Sequence, residues 1–123
     1  MVLFSKRIGG SSMWTSYGNG STIGTVGSEG GDTVKDDELN NDARVTVENN
    51  RDGYAYAITI RVYGLFVHTV FCNKEDYAKL FNSIKKDIEI FLKDLVLHEG
   101  TGELIEKFIN KYRINKGGSY NEN

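Results

Sequence analysis

The stretch Ala43–Cys72, ARVTVENNRDGYAYAITIRVYGLFVHTVFC, decides the fold. Val45 and Val47 alternate with Arg44, Thr46 and Glu48, the two-residue period of a strand that buries one face. Asp52-Gly53 is a preferred pair for a tight reversal, and the segments after it, YAYAITIRVYG and LFVHTVFC, are rich in β-branched and aromatic residues. Gly64 marks a second reversal. Three strands in a row joined by short turns predict an antiparallel β-meander.

Parity predicts the register. A two-residue turn at Asp52-Gly53 sets Val47 opposite Ile58 and Val45 opposite Ile60. A two-residue turn at Tyr63-Gly64 sets Val62 opposite Leu65, Ile60 opposite Val67, Ile58 opposite Thr69 and Tyr56 opposite Phe71. One face then holds the aliphatic residues. The opposite face holds Arg44, Thr46, Glu48, Thr59, Arg61 and Tyr63, followed on the third strand by Phe66, His68, Val70 and Cys72.

Downstream, NKEDYAKLFNSIKKDIEIFLKDLVL places Tyr77, Leu80, Phe81, Ile84, Ile88, Phe91, Leu92 and Leu95 at helical steps, a continuous stripe facing a core. Asn73 is the expected N-cap and Gly100 the expected stop. A second helix, with Thr101 as expected cap, aligns Leu104, Ile105, Phe108, Ile109 and Tyr112. A helix stripe and a sheet face of matching character bury each other. The expected fold class is therefore α+β: an antiparallel meander of about 3 to 5 strands, an N-terminal hairpin among them, with two C-terminal helices on one face. One domain over 1–123 divides into a Gly/Ser-rich hairpin or flap with an acidic loop (1–42), the meander (43–72), the helices (73–114) and a tail expected to be disordered (115–123).

Upstream, SYGNGSTIGTVGSEGGD (Ser16–Asp32) invites comparison with a phosphate-cradling loop. Its glycines follow G-x-G-x-x-x-G, no helical pattern follows them, and no lysine lies between Arg7 and Lys35, so both standard nucleotide loops lack their working parts. Met13, Thr15 and Tyr17 alternate with Trp14 and Ser16 ahead of Asn19-Gly20, which predicts a hairpin there and a loop from it to Asp42. That N-terminal hairpin, with Trp14, Tyr17 and Ile23, is also the expected cover for the apolar part of the second face.

No catalytic set stands out. His68 and Cys72, four residues apart on one strand, sit about 13 Å from each other and form no dyad. One cysteine and two distant histidines, His68 and His98, make no zinc motif. The run DDELNNDA spaces Asp36, Glu38, Asn40 and Asp42 like a calcium loop, but Asn41 replaces the sixth-position glycine and Val47 the twelfth-position glutamate. No cofactor or metal is expected.

The net charge of −2 creates no field for nucleic acid, and the lysines of the helices are interleaved with acids. No apolar run approaches the ~20 residues that span a bilayer, MVLFSKRIGG lacks a signal-peptide core, and Cys72 alone makes no internal disulfide. The expected location is cytoplasmic. Abundant Asn, Lys and Ile without proline suggest an AT-rich genome, bacterial or viral, and for the function read below a bacterium or phage.

The expected function is binding of another protein, in the manner of an immunity protein or inhibitor. Arg61, Tyr63, Phe66 and His68 are the candidate contacts on the second sheet face, because Tyr and Arg carry interface energy. Asp36, Asp37 and Glu38 are the candidate steering charges for a basic partner. Two alternatives stand beside it: a small-molecule or enzymatic pocket between the glycine-rich flap and the sheet around His68, and a homodimer formed through the apolar strip or the last helix.

Overall fold

Five consecutive strands form one antiparallel sheet in the order of the chain, and two helices follow them. The computed structural model describes residues 13–50, 55–97 and 100–113. The strands are β1 (Trp14–Ser16), β2 (Asp32–Leu39), β3 (Ala43–Asn49), β4 (Tyr56–Val62) and β5 (Phe66–Cys72), and the helices are α1 (Tyr77–Leu97) and α2 (Thr101–Lys111). The fold is α+β. The Asp52-Gly53 turn, His98 and the tail lie outside the described residues.

The β3–β4 register is the expected one, with Val47 opposite Ile58 and Val45 opposite Ile60. Val45, Val47, Ile58 and Ile60 are fully buried beneath Leu80, Phe81, Ile84, Ile88, Phe91 and Leu92 of α1. Helix α1 lies over β3 and β4. Phe108 of α2 closes the far end of this core against Phe66 and Phe91, at ring-centroid distances of 5.4 and 5.8 Å.

The β4–β5 register differs from the expectation by one residue. Val62 pairs with Phe66, Ile60 with His68, Ile58 with Val70 and Tyr56 with Cys72, so Tyr63, Gly64 and Leu65 all belong to the turn. Gly64 takes φ +78°, a left-handed conformation that side chains resist, and Leu65 N–H donates to the Val62 carbonyl at 2.9 Å. Since faces alternate residue by residue, the extra turn residue exchanges the two faces of β5. Phe66, His68, Val70 and Cys72 point toward the helices, while Val67, Thr69 and Phe71 lie on the opposite face.

The N-terminal part departs further. No hairpin forms around Asn19-Gly20; Gly18 and Asn19 adopt left-handed angles within a tight turn, and β1 pairs with the far end of β2, Trp14 opposite Leu39. The expected acidic loop is instead strand β2, paired with β3 along its length apart from an irregularity between Thr33 and Lys35. Trp14 lies on the helix side, where its indole N–H donates to Glu89 of α1 at 2.8 Å. The helix starts also shift. Asn73 Oδ1 accepts from Asp76 N–H at 3.1 Å, the side-chain bond expected of it at this helix start, although α1 proper begins at Tyr77, and Gly100, at φ +83°, precedes α2 in place of Thr101.

Candidate functional site

The sheet face turned away from the helices is polar at its centre. Register places Asp36, Thr46, Thr59 and Thr69 in one row across β2–β5, with Glu38, Arg44, Arg61 and Val67 beside it. Glu48, Ala57 and Phe71 form a third row. Burying such residues requires partners, and the glycine-rich segment 17–31 supplies them.

Two carboxylates hold that segment. Asp36, 3% exposed, accepts from Arg44 Nε at 2.9 Å, Arg44 Nη2 at 2.7 Å, Thr46 Oγ1 at 3.0 Å and Thr22 Oγ1 at 2.8 Å. Burial alone would push its pKa up, but the hydrogen bonds from Arg44, Thr22 and Thr46 and the Arg44 charge outweigh it, so the carboxyl titrates below its ordinary value. Glu48, 1% exposed, accepts from the Gly31 amide at 3.0 Å and from the Glu29 amide at 3.0 and 3.2 Å. Backbone passes so close to it that a Cβ on Gly27 would sit 2.3 Å from Glu48 Cδ, and one on Gly31 would sit 2.6 Å from the Asn49 carbonyl oxygen. Tyr17 stacks on Arg44, with the guanidinium carbon 3.6 Å from the ring centroid. The segment is thus a cover over the polar centre of the sheet, and its glycines permit the close approach.

The cover does not close the outer rim. Val67 is 65% exposed and Phe71 42%, both on the outer face of β5, with Leu65 exposed in the adjoining turn. Arg61 stands between this strip and the cover. Its guanidinium reaches only two neutral hydroxyls, Nη1 to Thr46 Oγ1 and Nη2 to Ser28 Oγ, each at 3.4 Å. Among the described residues no carboxylate pairs with it. Tyr63 is exposed at the same end and donates its phenolic O–H to Glu38 at 2.8 Å; partial burial first, then that bond and the Glu38 charge, raise its pKa.

The candidates from the sequence therefore separate. Arg61 and Tyr63 remain together on the outer face. Phe66 packs edge-on against Phe91, with centroids 5.7 Å apart, and so leaves that face. His68 also turns to the helix side, its Nε2 3.2 Å from the Tyr112 carbonyl oxygen; a carbonyl only accepts, so Nε2 carries the proton. The three acids are engaged within the chain: Asp36 with Arg44, Asp37 with Lys85 of α1 at 2.6 Å, and Glu38 with Tyr63. Val67, Phe71, Leu65 and Ser28 replace them as outer-face residues. The length of the β4–β5 turn, which puts Val67 and Phe71 on that face, is the signal that the parity reading lacked.

The cover and His68 occupy opposite faces of the sheet, so the described residues do not enclose the pocket expected between flap and sheet around His68. Among the described residues the cover side holds a cavity of about 30 Å³ between Gly31, Glu48, Tyr56 and Phe71, room for about one water. Cys72 is buried, and burial with the nearby Asp76 charge pushes its thiol up to about 11, the reverse of an activated nucleophile. Among the described residues no three His, Cys, Asp or Glu side chains gather as a metal site, and no helix is long and apolar enough to cross a membrane. Comparison with protein-family models, curated proteins and solved structures finds no match to this chain.

Proposed function

We propose that this chain works by binding another protein through the outer rim of the sheet, formed by β5 and the Tyr63–Leu65 turn. The observation that carries the proposal is the exposure of Val67 and Phe71 on the outer face of β5, an edge strand among the described residues. Strand β5 contains no lysine, proline, glycine or carboxylate, the devices that keep sheet edges from pairing. The opposite edge is protected: β1 pairs with one end of β2, and the Gly24–Val26 segment hydrogen-bonds to Thr33 near the other. An open apolar rim flanked by Arg61 and Tyr63 has the composition of an interface core. An immunity- or inhibitor-type role for a bacterial or phage protein is consistent with such a rim, and the internal engagement of Asp36, Asp37 and Glu38 leaves its recognition to the rim in place of those charges.

Site-specific photocrosslinking in the source cell tests this. A benzophenone side chain at Val67 should give one discrete adduct with a protein other than a second copy, and Phe71→Lys should abolish it. The same probe at Ser83, exposed on α1, should not give that adduct. Identical adducts from both positions, or adducts only with a second copy, would overturn the proposal.

A further inference from the structure

Two guanidiniums lie side by side on the outer face, and among the described residues only one of them has a carboxylate partner. Arg44 and Arg61 are direct cross-strand partners on β3 and β4. Like charges in that relation repel unless each has a counter-charge. Arg44 has Asp36, in a two-point pair completed by hydroxyls of Thr22 and Thr46. Arg61 has hydroxyls as well, from Thr46 and Ser28, but no carboxylate among the described residues. Two residues along the same face, Thr59 is 2% exposed and its hydroxyl has no hydrogen-bond partner among the described residues. The surroundings of Arg61 thus repeat those of Arg44 with the anion missing.

We infer that Arg61, with the Ser28 hydroxyl, is a carboxylate-binding site for an Asp or Glu side chain or chain terminus presented by a partner. The inference rests on the partner-binding role proposed above and specifies what the partner brings. One guanidinium balances one carboxylate and forms two parallel hydrogen bonds with it. A phosphate carries up to about two charges, and the neighbouring Arg44 is already committed to Asp36. Val67 adjoins Arg61 on β5, and Leu65 lies in the turn between their strands, so the carboxylate arrives on an apolar segment. Thr46 donates its proton to Asp36, so its oxygen is left to accept from Arg61, which holds the guanidinium in place.

The test follows the arginine Nε–H signals of the full chain by NMR during titration with sodium acetate, sodium hexanoate and sodium phosphate, with chloride keeping ionic strength constant. The Arg61 signal should shift saturably with both carboxylates. Hexanoate should half-saturate at about a tenth of the acetate concentration, since its chain covers the apolar rim. Phosphate should be weaker than hexanoate, and Arg44 should not respond. Arg61→Gln should keep the backbone spectrum and lose the response, and Arg61→Lys should weaken it. No saturable shift, a phosphate response equal to or stronger than that of hexanoate, or a response that survives in Arg61→Gln each overturns the inference. If crosslinking at Val67 succeeds while carboxylates leave Arg61 untouched, this inference fails alone. If carboxylates saturate Arg61 while Val67 crosslinks nothing, the partner-binding proposal fails alone.

Discussion

Asp36 and Arg44 are joined by two hydrogen bonds, of 2.9 and 2.7 Å, beneath a segment whose Thr22 hydroxyl donates to the same carboxylate. The pair therefore both neutralises the sheet face and fastens its cover. Asp36→Asn would leave the half-buried Arg44 without a counter-charge and should cost about 3 kcal/mol of unfolding free energy, measured by urea denaturation at pH 7.

The same pair sets a pH dependence. The folded-state pKa of Asp36 lies below its unfolded value near 4, so its stabilisation is complete above about pH 4 and is lost as pH falls through the lowered native value. Denaturation midpoints of the wild type should fall with acid in that range, and the Asp36→Asn chain should show a shallower fall. Equal slopes would mean that Asp36 is not held by Arg44.

Gly31 should not tolerate a methyl group. Its Cβ would meet the Asn49 carbonyl oxygen at 2.6 Å, a backbone atom that cannot swing away. Gly31→Ala should cost about 1–3 kcal/mol and open the 17–31 segment to limited proteolysis. Gly24→Ala, where the same atom meets nothing within 4 Å, should pay only for its φ of +88° and leave the Glu48 contacts intact.

Cys72 should be inert. With its thiol pushed up to about 11, iodoacetamide at pH 8 should label the native chain about a hundredfold more slowly than the urea-unfolded chain. Comparable rates would show that Cys72 is not buried on the helix side.

Much of the fold was legible in the residues, because apolar side chains of one kind recur at one period. Tyr77 to Leu95 gave the α1 stripe, and Val45, Val47, Ile58 and Ile60 gave the β3–β4 register. Strand β5 was ambiguous for a physical reason. Val67 and Phe71 are as apolar as Phe66 and Val70, so parity rested wholly on the turn, and Tyr63-Gly64-Leu65 admits two or three residues. Strand β2 was hidden because Lys35, Asp36, Asp37 and Glu38 carry no alternation. Its acids are buried or held by Arg44, Lys85 and Tyr63, partners from β3, α1 and the β4–β5 turn that local sequence does not reveal. Arg61 and Tyr63 were found from residue type alone, whereas the glycine cover was recognised only as something that lies over the second face.

The decisive comparison is Val67→Lys against Val70→Lys, read by thermal unfolding. Val67 is 65% exposed on the outer rim and Val70 is fully buried under the helices, three residues along β5 and on its opposite face. Val67→Lys should fold with a loss of less than about 1 kcal/mol, whereas Val70→Lys should be largely unfolded. The reverse pattern, a folded Val70→Lys and an unfolded Val67→Lys, would place the rim on the wrong face of β5 and remove the proposed recognition surface.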